Sequence, residues 1–526
     1  MKKYNIFKVL TIAILVTVVL SYFIPGTTMN YGAVEKGTQI PIPFADLFTN
    51  GITALSAFLT TFIFVLIIGA FYAVLYKTGK YEKLVNNAAV TFNSNKGLAI
   101  VLKVLVLGLV TMFTGEIYSM LVFVPFLISV VRKLGYSKET SVASTVGAIL
   151  LGHAGSLFTF YSNQMLSLTV KDNILSKVII ALVGLVCLIA FILVFGRRPE
   201  STKDLKKESD SKLIPLHVIM WGLFILLVLG FVNWNGYFGF KGFDTFLETL
   251  RKATVGKVSV FNALVGNTVV AFGNWQPFNA AVLFTFISVL IGLIYKEGVN
   301  GFLEAFAKGL KKAFPYALIV VLANLVLVNV YSSGIFYTMV IALTKKTVTL
   351  FNGTITSILA AFCFPDYAYG TQFTLTAVMN TSAKDYQGLF QVLFQAVYSA
   401  FLFISPTSVL LLLGLRYTDI RFKDWIKYIW KFFIVLFVTL LVVVNTCMKG
   451  FDIASIMALI LLVVAICIIT YLRVKKVNTS VSVYKEVKKE EVKVEKVEVK
   501  KVETKKAPAK KTPAKKTSNK KKTNKK

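Results

Sequence analysis

Long apolar runs separated by short polar loops dominate this chain. Ile6 to Ile24 opens it, and further runs cover 51–76, 140–170, 178–196, 214–233, 276–295, 313–331, 388–416, 428–447 and 453–473. A helix needs about 20 apolar residues to span a hydrocarbon core, so each run predicts a crossing helix. The first run has no A-x-A-like cleavage site and ends at Pro25-Gly26, which predicts a retained helix rather than a signal peptide. Two more stretches, 97–131 and 349–381, are too long for one helix. Thr114-Gly115-Glu116 interrupts the first at its middle, and Pro365-Asp366-Tyr367 interrupts the second. Each predicts a re-entrant hairpin that enters and leaves on one side. The expected fold is an all-α polytopic membrane protein with about ten transmembrane helices and two re-entrant hairpins.

The loops carry a charge bias that tests this count. Lys77, Lys80 and Lys83, Arg132, Lys133 and Lys138, Arg197 and Arg198, Lys308, Lys311 and Lys312, and Arg421, Lys423 and Lys427 all fall on one predicted side. The opposite loops 25–50 and 448–452 hold only Lys36 and Lys449. Basic loops stay cytoplasmic, so both termini are expected inside, in a cell membrane, with a bacterial plasma membrane as the natural setting. A hairpin that crossed fully would put the later basic loops outside. The segment 234–275 fits less well, because it is external in this scheme yet carries Lys241, Arg251, Lys252 and Lys257. An amphipathic helix on the membrane surface would account for it.

The chain also resembles itself. Phe44-Ala45-Asp46-Leu47-Phe48-Thr49-Asn50-Gly51 matches Phe302-Leu303-Glu304-Ala305-Phe306-Ala307-Lys308-Gly309 as F-x-[DE]-x-F-x-x-G, at an offset of 258. Thr78-Gly79 matches Ser333-Gly334 at 255, Glu116 matches Asp366 at 250, and Ser162-Asn163-Gln164 matches Ser405-Pro406-Thr407 at 243. Steadily falling offsets are what small deletions in a second copy would leave. The charge bias starts one copy outside and the other inside, which predicts an inverted-topology repeat. Two similar halves of opposite orientation give two near-equivalent states, one open to each side. The expected organisation is a first helix and external loop (1–43), repeat 1 (44–196), a connection with two helices (197–301), repeat 2 (302–447), a last helix (448–474) and a Lys-rich tail (475–526).

Composition agrees. Of 526 residues 56% are hydrophobic and 16% charged, and the mean hydropathy is +0.71, too apolar for a soluble chain of this length. Net charge is +33, but 20 Lys against 6 Glu lie from Lys475 onward, so +14 of it sits in the last 52 residues. That tail cannot bury a core and is expected to be disordered, with anionic lipid headgroups as its partner and nucleic acid not expected. Cys187, Cys363, Cys447 and Cys467 are far apart in apolar sequence, and His153 and His217 are the two histidines. No disulfide or metal centre is implied. The absence of P-loop, GxSxG and HExxH patterns gives no support to ATP-driven transport or familiar hydrolase chemistry, and an enzyme is not expected.

Glu116 and Asp366 are the acids set deepest in apolar sequence. Near the bilayer midplane an unpaired carboxylate is costly, so the tips Thr114-Gly115-Glu116 and Asp366-Tyr367 are expected to bind a cation or take up a proton. The alternative is that both acids lie at the membrane surface, the hairpins being placed differently, or cap helix N-termini. Ser162-Asn163-Gln164 and Ser405-Pro406-Thr407-Ser408 put consecutive polar residues inside apolar helices. They predict unwound breaks whose carbonyls suit small cations and whose half-helix N-termini suit a substrate carboxylate. A Na⁺ site through Ser162, Asn163, Ser405 and Thr407 is one form of this. No cofactor is expected beyond Na⁺ or H⁺ as coupling ion. Asn324 and Asn329 are expected to bond across helices, His153 to pack or bond a carbonyl, and Lys103 to snorkel to the cytoplasmic side or pair with an acid.

Several of these residues resemble a known family. They are Ile24-Pro25-Gly26, Tyr76-Lys77-Thr78-Gly79, Gly115-Glu116 with Pro125 beyond it, Leu134-Gly135-Tyr136, Gly155 to Asn163, and Phe302 to Gly309. The most specific is Ile404-Ser405-Pro406-Thr407-Ser408 followed by Trp425-Ile426-Lys427-Tyr428, against a T-P-T-S-G, spacer, W-x-K pattern. Over 10–440 the chain resembles the C4-dicarboxylate anaerobic carrier family, in its YfcC-like branch, within the ion transporter superfamily. The resemblance implies a secondary transporter with two hairpins and two discontinuous helices, as a homodimer. Substrate and coupling cation would meet between hairpin tips and helix breaks. Relatives carry C4-dicarboxylates, short-chain organic anions, aminobenzoyl-glutamate or basic amino acids. The chain departs from the pattern at Gln164, at Pro365-Asp366-Tyr367, at Asn324 where an Arg is common, and around Ala396 to Leu402.

The expected function is a cation-coupled symporter or exchanger for a small carboxylate-bearing metabolite. Two tip acids without a core Arg lean toward a cationic or zwitterionic partner such as an amino acid. The alternative from another class is a channel or non-transporting scaffold.

Overall fold

The computed structural model describes residues 5–30, 33–36, 41–159, 172–196, 205–208, 210–256, 258–344, 348–379 and 387–473. Residues Met1–Cys467 form one compact unit. Ile468–Lys526 form a second, in which 468–473 are described and are helical. The expected Lys-rich tail and the Ser162-Asn163-Gln164 break lie outside the described residues.

Among the described residues nine helices are long and apolar enough to cross a membrane. Eight match predicted runs: Asn5–Phe23, Leu59–Lys77, Ile174–Phe195, Ile214–Phe231, Pro277–Ile294, Gly298–Ser332, Phe422–Met448 and Ile453–Arg473. The ninth, Lys96–Thr114, is the first arm of the first hairpin and is membrane-length by itself. The two remaining runs are broken helices, which is why the count differs from ten. One passes from Lys138 to Ala154 through a π-helical turn at Ala143–Gly147 and stops at Gly155. The other is split into Gln387–Phe401 and Val409–Thr418.

Local signals set these ends. Asn95 caps the first hairpin arm by accepting from the Leu98 N–H at 3.1 Å. Gly115, left-handed at φ +67°, ends it. The second hairpin, Leu350–Cys363 and Tyr367–Met379, opens with a capping box. There Thr349 Oγ1 accepts from the Asn352 N–H at 3.2 Å, while Asn352 Oδ1 accepts from the Thr349 N–H at 2.7 Å.

Element order repeats across the chain. Phe44–Ala57 and Leu59–Lys77, which meet at Phe58, correspond to Gly298–Ser332, which contains Pro315. Gly79 and Gly334, both with positive φ, then lead into Tyr81–Thr91 and Ile335–Thr344. A hairpin, a broken helix and a long helix follow in each half. The corresponding helices Leu59–Lys77 and Gly298–Ser332 cross in close contact. A Cβ on Gly309 would lie 2.5 Å from Ala70 Cα and 2.6 Å from Gly69 O. Ala305, Gly309 and Ala313 give the long helix a small-residue face at four-residue spacing, and Gly69, Ala70 and Ala73 meet it. Lipid offers no hydrophobic drive for helices to associate, so such close packing supplies the cohesion.

The segment 234–275 is structured over its described residues. Trp234–Phe238, Gly242–Lys252 and Val260–Leu264 are helical, and Thr254–Val255 pairs antiparallel with Val258–Ser259. The helix Gly242–Lys252 ends in Arg251, whose guanidinium donates to the Asn267 and Val269 carbonyls at 3.1 and 2.6 Å. One of the four basic residues that fitted the charge bias badly, Arg251, therefore closes its own segment. Tyr237 Oη donates to the Phe113 carbonyl at 2.9 Å, which ties the segment to the tip of the first hairpin.

On the basic face the linker between the halves is clamped to helix Tyr81–Thr91. Asn87 exchanges two hydrogen bonds with the Glu208 backbone, both at 2.9 Å. Lys80 Nζ lies 2.7 Å from Asp210 Oδ2, and Lys83 pairs with Glu208 and Asp210 at 3.3 and 3.5 Å. The Lys80 hydrogen bond, helped by the Lys212 N–H, holds the Asp210 carboxyl down at about 2. An unfolded Asp titrates near ~3.9, so the clamp's contribution is complete above that pH and is lost as pH falls through about 2. Amide hydrogen exchange over 205–213 is expected to keep full protection down to about pH 4 and lose it below. Asp210→Asn is expected to show the unprotected rate at neutral pH. Equal protection in the variant would mean the ion pairs do not hold the linker.

Candidate functional site

The two hairpin tips and the end of the first broken helix meet around one cavity of about 320 Å³. Thr114, Gly115, Glu116 and Tyr118 come from the first tip, and Asp366 and Tyr367 from the second. His153 and Thr159 come from the broken helix, and Asn233, Asn274 and Gln276 from the external segment. Among the described residues two carboxylates and no Lys or Arg line it.

Both acids are held the same way. The Tyr118 N–H donates to Glu116 Oε1 at 3.0 Å, and the Tyr369 N–H donates to Asp366 Oδ1 at 3.2 Å. Asp366 therefore caps the start of helix Tyr367–Met379, Glu116 caps the turns that precede Phe123–Lys133, and both face the cavity. A carboxylate has about four lone-pair sites, so one such bond leaves acceptor capacity free. Neither acid forms an ion pair among the described residues. The tip itself is braced by Thr114, whose hydroxyl lies 3.0 Å from Ser119 Oγ, while Ser119 donates to the Glu116 carbonyl at 2.8 Å.

The first break begins at Gly155, earlier than Ser162-Asn163-Gln164, and its partners come from the other half. Gln395 Nε2 donates to the His153 and Ser156 carbonyls, both at 2.9 Å, and so satisfies acceptors that a helix C-terminus leaves open. The Leu157 N–H donates to the Met112 carbonyl at 3.0 Å, joining the break to the first hairpin. His153 Nδ1 lies 2.9 Å from Ser399 Oγ, and its ring stands edge-on to Tyr367 with centroids 4.5 Å apart.

The second break falls at 402–408, over Ser405-Pro406-Thr407-Ser408. It does not reach the cavity. Ser405 Oγ donates to the Ala361 carbonyl at 2.8 Å, and Thr407 Oγ1 to the Phe362 carbonyl at 3.1 Å. These hydroxyls fasten the break to the first arm of the second hairpin, while Ser408 Oγ is buried without a partner among the described residues. Asn324 also lies off the cavity. Its Nδ2 donates within its own helix to Val320 O at 2.9 Å rather than across helices, and its Oδ1 has no partner among the described residues. Asn329 does bond across helices, accepting from Asn50 Nδ2 at 3.0 Å.

His153 and the amides Asn233, Asn274 and Gln276 were not in the site read from sequence. The one signal for the amides is their position, at the junctions between the external segment and the helices Ile214–Phe231 and Pro277–Ile294.

A second cavity, of about 450 Å³, lies under the same tip. Leu121, Val124 and Pro125 of the first hairpin line it, with Tyr76, Tyr316 and Tyr417, and Lys77, Lys308 and Lys312 from the basic face. The tip thus stands between the two spaces. Chemically, the upper cavity offers oxygens, amides and one imidazole. That set suits a small hard cation, a proton or an ammonium group. Among the described residues no three His, Cys, Asp or Glu cluster, so a soft-metal centre has no ligand set.

The sequence model of the C4-dicarboxylate anaerobic carriers matches residues 5–449. No curated protein matches the chain. A solved structure similar to it is the Alcanivorax borkumensis YdaH transporter, described as having an unusual topology. The two share 13% identity over 86% of this chain and 98% of that one, with a TM-score of 0.37, a likeness too distant to assign a site. With the family's model running nearly from end to end of the membrane unit, the chain belongs to the C4-dicarboxylate anaerobic carrier family and is a secondary transporter of the multi-pass membrane class.

Proposed function

We propose that the protein carries a small carboxylate-bearing metabolite, a C4-dicarboxylate, related organic anion or amino acid, coupled to Na⁺ or H⁺, and binds the substrate between the hairpin tips. The supporting observation is that Glu116 and Asp366, far apart in sequence, face one cavity while a second opens on the basic face beneath the same tip. One barrier between two spaces is what alternating access requires. At an effective dielectric near 20, a cation about 4 Å from one carboxylate gains about 4 kcal/mol, so the acids favour a bound cation or a substrate ammonium group.

The positive-inside bias puts the basic face and both termini in the cytoplasm of a bacterial cell. The tail 475–526 then reaches anionic headgroups. Within Ile453–Arg473 no residue is fully buried, and Leu459, Val463 and Ile466 pack against the core, so its other faces meet lipid or the partner of a homodimer.

Counterflow tests the carrier reading. Proteoliposomes loaded with unlabelled succinate or arginine are expected to accelerate entry of the labelled compound, with a dependence on Na⁺ or pH. Entry that is indifferent to the internal load, for every substrate tried, would favour a channel and sink the carrier.

A further inference from the structure

A half-buried lysine joins the two elements that carry the first-half site residues. Lys103 lies on the first arm of hairpin 1, two turns inside the helix. It pairs with no acid among the described residues. Its Nζ donates to Ser144 Oγ at 2.6 Å and Thr145 Oγ1 at 2.9 Å, two hydroxyls of the π-helical turn in the broken helix. Those hydroxyls are themselves fully buried and pass their protons to the Ser141 carbonyl, at 3.3 and 2.8 Å. Their lone pairs are therefore turned toward the lysine. Two acceptors satisfy the two N–H groups of a neutral amine. They leave the third N–H of an ammonium without an acceptor among the described residues, and an intramembrane charge without a counter-ion is expensive.

The surroundings supply Lys103 no ion-pair partner among the described residues. Elements packed on this arm and turn carry Lys96, Arg132, Lys133, Lys138, Glu139, His153, Lys177, Cys187, His217, Arg416 and Tyr417. None of them forms a hydrogen bond or ion pair with Lys103. The π turn is well placed to act on the site. It leads into the helix that bears His153, and it packs so closely on Val409–Thr418 that a Cβ at Gly414 would lie 2.9 Å from Val146 Cγ2. Single π turns inside α-helices are frequent at functional positions.

We propose that Lys103 is the group that gains and loses the coupled proton, and that its proton content sets how firmly hairpin 1 is tethered to the broken helix. The step is R–NH₂ + H⁺ ⇌ R–NH₃⁺, and no other bond is made or broken. This rests on the carrier reading above and names its coupling ion.

The test uses the full chain in proteoliposomes with labelled succinate, together with Ser129→Cys labelling in a chain freed of native cysteines. Ser129 lines a further cavity at the basic face, beside Arg132, Lys133 and Lys138, so its labelling rate reports access from that face. A gradient of one pH unit sustains roughly tenfold accumulation per coupled proton. Lys103→Met is expected to sustain none, to keep succinate counterflow, and to make Ser129→Cys labelling independent of pH. Lys103→Arg, charged at every accessible pH, is expected to lose accumulation as well. Full accumulation by the Arg variant would mean that a fixed charge suffices, and would overturn the proposal. So would a wild-type gradient that follows Na⁺ and ignores a protonophore. If the Met variant does not reach the membrane, Lys103→Gln, which still donates to a hydroxyl, takes its place. If wild-type protein shows no succinate counterflow, the substrate assignment fails, and the labelling profile alone decides Lys103: pH-dependent in wild type and flat in the variant supports it, flat or equal in both refutes it.

Discussion

Glu116→Gln and Asp366→Asn each abolish net uptake while leaving the protein in the membrane at normal amounts. Both substitutions keep the shape of the side chain and its ability to accept the backbone N–H of Tyr118 or Tyr369. The tip turns should therefore survive, and what is lost is charge facing the shared cavity. An attraction of about 4 kcal/mol removed from a bound cation corresponds to roughly a thousandfold loss of affinity. Uptake into proteoliposomes and thermal unfolding of the purified variants separate the two effects, with unfolding expected to shift little. If both variants transport normally, with the wild-type pH dependence, the acids are caps of their turns and nothing more.

Gly115→Ala is expected to be as damaging for a different reason. Gly115 holds φ at +67°, where a side chain costs about 1–2 kcal/mol. A Cβ there would also lie 1.9 Å from the Phe158 carbonyl oxygen, so either the tip or the break must move. The displaced atoms are backbone on both sides and have no soft rotamer to absorb the shift. Loss of transport by more than about a hundredfold is expected, because a misplacement of about 1 Å can cost that much. Gly79 is the control: its φ is +65°, but a Cβ would meet nothing within 4 Å. Gly79→Ala should lose only about 1–2 kcal/mol of stability and keep transport. Equal transport by the two variants would show that contact between tip and break is not needed.

Much of this architecture was written in local sequence. Hydropathy located the crossing helices, Gly115 marked the first tip, and the run Ser405-Pro406-Thr407-Ser408 lies on the second break because consecutive hydroxyls and a proline cannot continue a helix. Glu116 and Asp366 stood out because acids are rare in apolar sequence. The rest depended on distant partners. The helix ending at Ala154 stops at Gly155, a local signal, but the Gln395 side chain that binds the His153 and Ser156 carbonyls comes from the other half, which no nearby residue announces. Lys103 finds its acceptors some forty residues away, on a π turn whose sequence, Ala-Ser-Thr-Val-Gly, reads as ordinary helix. The external segment hid its contribution for the opposite reason: its polar amides look like loop residues until the fold sets Asn233 and Gln276 at the cavity.

The crossing at Gly69 and Gly309 sets a boundary on how this molecule can work. Two helices whose main chains touch have no side-chain cushion between them, and sliding one along the other would drive Cα and carbonyl atoms into each other. The pair is thus a stator, shared equally by both halves. Any displacement in a transport cycle is then expected in the parts hung from it, the hairpin tips among them.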